Sequence, residues 1–148
     1  MRIFVVLHVL SMFAAVAVAA GGDLLFYRIA RTRDAAAIRG AGVAFARLAR
    51  LIPVLFGIGA VFGVIAIFVH RFDPFATWLV VAYVLFVLGL LLGNFVNGAW
   101  AGRVTAAADE TDPALELAVS DARGPIGIAL FWLIIAAIVF LMVAKPFS

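Results

Sequence analysis

The chain has 148 residues, of which 68% are hydrophobic and only 13% charged. A soluble domain is about half apolar and a quarter charged, so these residues cannot build a water-facing surface and the bilayer has to be the solvent. The net charge of +3 is concentrated in one loop, which argues for anionic lipid headgroups and against nucleic acid, and the absence of cysteine excludes disulfides, thiolate metal sites and thiol catalysis.

The first apolar run, Ile3 to Gly22, carries no charge over twenty residues, the length a helix needs to cross a hydrocarbon core. Met1-Arg2 followed by this run and by Ala17-Val18-Ala19-Ala20 also matches the pattern of a cleaved secretory signal. Signal cores are shorter, about 7–15 residues, so a retained span over about 3–23 is expected. His8, Ser11, Ala15, Ala19 and Gly22 recur at steps of three and four and share one helix face. Small residues at this spacing let helices approach closely in lipid, so this face, with His8, is expected to point into the bundle. Met12 lies one turn from His8. Asp23 then falls at the end of the span, with Arg28 nearby and Asn94 and Asn97 of a later span expected at similar depth. An inner-leaflet polar cluster of Asp23, Arg28, Asn94 and Asn97 is the expectation.

Residues 28–50 hold six of the eleven basic residues, Arg28, Arg31, Arg33, Arg39, Arg47 and Arg50, against one acid, Asp34. Arginine next to a span resists translocation, so this loop is placed on the cytoplasmic side. Its alanines favour helix, Gly40 and Gly42 suggest a turn, and Phe45, Leu48, Leu51 and Ile52 predict an amphipathic lead-in to a second span at about 51–69. Gly59 and Gly63 in that span form a small-xxx-small pair. His70-Arg71-Phe72-Asp73-Pro74 predicts a tight outer turn. The third span is expected at about 75–100, with Trp78 and Trp100 as candidate interfacial belts. Residues 101–124 form a second inner loop, whose acids are suited to pair with the arginines of the first. Thr111-Asp112-Pro113 predicts the start of a short helix that ends at Gly124-Pro125. The fourth span is expected at about 126–144.

The predicted architecture is thus an all-α, four-helix bundle forming a single transmembrane domain over residues 1–148. With both loops inside, eight basic residues lie on the inner side and three, Arg2, Arg71 and Lys145, on the outer. That bias puts both termini outside. No Gly-rich phosphate loop and no HExxH, GxSxG or CxxC motif is present.

Leu7-His8-Val9-Leu10-Ser11, Gly21-Gly22, Arg50-Leu51-Ile52-Pro53 and Leu141-Met142-Val143-Ala144-Lys145-Pro146 resemble the corresponding stretches of an uncharacterised bacterial family of four-helix integral-membrane proteins. More distantly, the chain resembles the membrane domain of copper-resistance protein D and the haem-binding membrane protoporphyrinogen IX oxidases. The resemblance implies a multi-pass protein of the bacterial inner membrane, with His8 at the position of the oxidases' first-helix histidine. The oxidases pair that histidine with a third-span lysine, and no lysine occurs between Trp78 and Gly89. The copper family implies more methionine and histidine than this chain carries in its spans. The uncharacterised family fits best and implies no activity.

Three functional expectations follow. The first is a non-catalytic accessory or structural membrane bundle, with a membrane-protein partner or a second copy of itself. The second is a redox protein holding haem, or a transition metal, on His8 and His70 with Met12 as an accessory ligand. The third is transport of a small solute or ion through the Asp23, Asn94 and Asn97 region. The threading is testable first. A cysteine placed at Ala36 is expected to be shielded from an impermeant thiol reagent in intact cells, and one at Ser148 to be labelled. Labelling at Ala36 with none at Ser148 would reverse the topology.

Overall fold

The computed structural model describes residues 3–146. Among them there is no strand, and the chain forms six α-helices and one π-helical turn: α1 (Ile3–Ala30), α2 (Ala35–His70), α3 (Thr77–Leu92), the π turn (Gly93–Gly98), α4 (Ala99–Ala107), α5 (Asp112–Ser120) and α6 (Arg123–Ala144). α3, the π turn and α4 are continuous, so four helical columns result, each with a stretch long and apolar enough to cross a membrane. The spans expected near 3–23, 51–69 and 126–144 lie inside longer helices, and the one expected near 75–100 starts two residues later, at Thr77, and runs on to Ala107.

α1 and α2 form an antiparallel hairpin. His8 meets Gly63, Met12 meets Gly59, and Phe26 stacks on Phe45 at 5.3 Å between ring centroids. Every residue gained along α1 is thus one lost along α2. Without Cβ atoms at Gly59 and Gly63, the α1 side chains reach the α2 backbone. A Cβ at Gly63 would lie 2.8 Å from His8 Nδ1, and one at Gly59 would lie 3.0 Å from Met12 Sδ. α3 packs along α6, and α6 also touches α1. Phe56 of α2 meets Phe86 of α3 edge to face at 5.5 Å. Ala15, Ala19, Phe56 and Phe131 make a small core at this level. The outward faces remain apolar and exposed, as at Phe13, Phe68 and Val143, which suits lipid tails as the surrounding medium.

The expected turn at Gly40–Gly42 does not form, and the chain reverses at Arg31–Asp34 instead. Arg33 takes up the left-handed conformation the reversal needs, with φ 59°. The Asp34 carboxylate then caps α2 by accepting from the N–H groups of Ala36 and Ala37, which satisfies two donors that a helix start leaves open. Gly42 serves packing, since a Cβ there would meet the Thr105 side chain at 2.5 Å. α2 therefore begins well before the second span, with Pro53 inside it.

Beyond Asp23, a second core forms among α1, α2, α4, α5 and α6. It holds Phe26, Ala30, Ile38, Trp100, Val104, Leu115 and Ile128. This cap is tied at its rim by ion pairs from Arg33 to Glu116 (3.2 Å), Arg39 to Asp109 (3.6 Å) and Arg103 to Asp121 (3.0 Å). Arg39 also donates to the Ala108 carbonyl at 2.9 Å. The expected pairing between the acids of the second loop and the arginines of the first is present in the first two bridges. The first two pairs are exposed on both sides, so each of them contributes about 1 kcal/mol at most. α5 starts after Thr111 as expected but ends at Ser120, and Gly124-Pro125 fall in the first turn of α6. Proline is tolerated there because first-turn N–H groups have no helical partner.

Neither tryptophan of the third column forms a lipid-facing belt, because both are buried. Trp100 stands edge-on to Phe26 and donates its Nε1–H to the Ala118 carbonyl at 3.2 Å. Trp78 packs on Phe72 at the opposite end of the bundle, where the Lys145 ammonium lies 4.5 Å from the Phe72 ring and 5.8 Å from that of Trp78. This contact ties the end of α6 to the α2–α3 turn. It also puts the described ends of the chain at the same end of the bundle, away from the cap.

Two glycine substitutions check this packing by thermal melting in detergent. Gly124→Ala would push a methyl into the rigid Trp100 ring and is expected to cost about 1–3 kcal/mol, the usual range for overpacking. Gly40→Ala meets nothing within 4 Å and is expected to leave stability unchanged or raise it by up to about 1 kcal/mol, since alanine loses less entropy in a helix.

Candidate functional site

Two polar features lie between the columns. The first joins Asp23 of α1 to Asn97 of the π turn. The Asn97 Nδ2 donates to the Asp23 carboxylate at 2.7 Å, and both residues are buried. A π turn admits one residue more per turn than an α-helix can hold. Here the six residues Gly93–Gly98 end in Asn97-Gly98, and Asn97 turns inward while Asn94 is left exposed. The Asn97 side chain fits because Gly127 of α6 lacks a Cβ, which would collide with Asn97 Oδ1. That same oxygen has no hydrogen-bond partner. The bond between Asn97 and Asp23 ties α1 to the third column at the level where the span ends.

Of the four residues expected to cluster here, the structure brings together Asp23 and Asn97. Arg28 is exposed, and its guanidinium forms no ion pair among the described residues. The chain is helical through both Asp23 and Arg28, and five residues of α-helix turn through about 500°, so the two side chains leave α1 on different sides. The sequence placed Asn94 and Asn97 at a similar depth. The π turn separates them. Its only sequence signal is the pair of glycines that flank Asn94 and Asn97, and such glycines are common in membrane helices.

The second feature is His8. Its Nδ1 lies 2.7 Å from the Gly59 carbonyl oxygen. A carbonyl oxygen only accepts, so Nδ1 carries the hydrogen and Nε2 keeps the free lone pair. The small-residue face read from the sequence does point at α2, and His8 with it. Met12 lies beside it against Gly59. His70 is exposed at the end of α2, with its ring 6.1 Å from that of Phe72. Since His8 is level with Gly63, His70 lies about 10 Å further along the bundle axis at 1.5 Å per residue. Among the described residues, no three His, Asp or Glu side chains gather where they could hold a metal.

Two hollows between and beside the columns are apolar. One is a shallow groove on the outer face of α6, bordered by Trp132, Ile135, Val139 and Val143. Another lies among Phe56, Phe86, Phe131 and Ile138, with room for about 10 Å³, at the lower limit for one water and lined by apolar side chains that would give it no hydrogen bonds.

The Asp23–Asn97 contact is open to a direct test. Asn97→Ala removes the only side-chain donor to the buried carboxylate among the described residues and is expected to cost about 1–3 kcal/mol by thermal melting. Asp23→Asn keeps one donor and one acceptor in place and is expected to cost less. Equal losses would show that the carboxylate itself is what the bundle requires. No family model, curated protein or solved structure matches this chain.

Proposed function

We propose that the protein is a non-catalytic accessory bundle of the bacterial inner membrane, with the arginine-bearing cap in the cytoplasm and both termini outside. One observation carries this reading. Polar side chains between the columns bond from one helix to another, His8 to Gly59, Asn97 to Asp23 and Trp100 to Ala118, with Asn97 Oδ1 the one buried side-chain oxygen among the described residues left without a partner. The groove on α6 and the hollow among Phe56, Phe86 and Phe131 are walled by hydrocarbon side chains and offer a substrate no polar anchor. Such a bundle acts through its surface. Its occupants are lipid, a membrane-protein partner or a second copy.

A second reading is favoured by a specific feature of His8. Histidines that ligate metals usually donate their other ring N–H to a carbonyl or carboxylate. His8 donates Nδ1–H to Gly59 and leaves Nε2 free. A haem iron or transition metal at Nε2, with Met12 beside it, is the redox alternative, and the group would supply the electron-transfer chemistry.

An absorption spectrum and a metal analysis of protein purified from haem-replete cells separate the two. The accessory reading expects a colourless, metal-free and folded protein, with His8→Ala lowering the melting temperature through the lost bond to Gly59. A Soret band in the native protein that disappears in His8→Ala would replace it with the redox reading.

A further inference from the structure

The arginines of the cap and first loop differ in height and in whether an acid meets them, and Arg28 and Arg31, like Arg47 and Arg50, have no acidic partner among the described residues. Three on the cap rim are neutralised from within, Arg33 by Glu116, Arg39 by Asp109 and Arg103 by Asp121. Arg47 and Arg50 of α2 are exposed and have no acidic partner among the described residues. The hairpin register that sets Phe26 beside Phe45 and Met12 beside Gly59 puts Arg47 and Arg50 level with α1 residues 24 and 21. That height brackets Asp23, whose carboxylate is buried on Asn97 and so does not serve them. Directly below on the same exposed side of α2 come Leu51 and Val54, both more than half exposed. From Leu51 to Val69 the helix rises about 27 Å, close to a hydrocarbon core of about 30 Å. Arg47 and Arg50 therefore stand where the phosphates of the bilayer begin. Three residues apart on a helix, they are neighbours. Each presents a planar fork of donors that fits two oxygens of a phosphate.

We infer that Arg47 and Arg50 form a binding site for the phosphate of an anionic phospholipid on the lipid-facing side of α2. The inference rests on the membrane reading of the chain and is independent of whether His8 holds a cofactor. Arg33, Arg39 and Arg103 are excluded because acids already meet them, and Arg28 and Arg31 because the hairpin register sets them level with α2 residues 43 and 40, further from the apolar span than Arg47 and Arg50.

The test melts the purified protein in nanodiscs of zwitterionic phospholipid, with and without a share of anionic phospholipid. The native protein is expected to gain several degrees in melting temperature with anionic lipid. The gain should fall by at least half in Arg47→Gln/Arg50→Gln and persist in Arg33→Gln. About 1 M salt, where the screening length is about 3 Å, should shrink the native gain. Equal loss of the gain in Arg33→Gln would overturn the site in favour of a diffuse basic surface. A gain reproduced by inorganic phosphate in zwitterionic nanodiscs would overturn the lipid as the ligand. If the double glutamine variant does not fold, Arg47→Lys/Arg50→Lys keeps the charge but loses the forks. A smaller gain in that variant supports the site, and an undiminished one overturns the forked contact. Failure of the membrane reading itself would show differently, as a native protein that does not enter nanodiscs at all.

Discussion

The close approach of α1 to α2 is the constraint on which the rest depends. Within hydrocarbon, apolar side chains gain nothing by leaving lipid for protein, so helices associate through dense packing and hydrogen bonds. Gly59 and Gly63 supply both. They let Met12 and His8 lie against the α2 backbone, and they leave the Gly59 carbonyl open to the imidazole. Once the hairpin is set at that distance, the positions of Phe26 on Phe45 and of Gly22 on Phe45 follow from the register. The wall against which α4 and α6 pack is then complete.

Outside the spans the physics changes. The cap core of Phe26, Ile38, Trp100, Val104 and Leu115 lies among charged residues and ion pairs, a layer where water is the alternative to burial. There the hydrophobic effect acts at full strength, at about 25 cal/mol per Å² of apolar surface removed from water. The bundle is therefore held by two different forces at its two levels. Small residues and polar bonds work in the membrane, and large buried side chains work in the cap. Asp23 and Asn97 mark the boundary between them.

The four spans were legible because twenty-residue apolar runs have little alternative to a membrane helix. The inward face of His8, Ala15 and Ala19 was legible too, because helical spacing alone fixes it. The pairing of loop acids with loop arginines followed from charge. What the sequence hid depends on contacts far apart in the chain. Gly40 and Gly42 carry the usual sign of a turn, yet Asp34 caps the helix upstream and Thr105 needs Gly42 as a flat surface. Trp100 had the position of a belt residue, but Phe26, Gly124 and the Ala118 carbonyl draw it inside. Asn94 and Asn97 could not be told apart without the π turn.

That turn also acts as a phase shifter in the third column. Each residue of an α-helix advances the face by about 100°, so one surplus residue between Gly93 and Gly98 rotates everything after it relative to everything before it. The stretch from Thr77 to Leu92 shows its buried side to α6 and α2, whereas Trp100, Ala101 and Val104 show theirs to the cap. A single column thus addresses two environments with two different angular settings. Its halves carry separate patterns of small and large residues, joined by six residues that belong to neither.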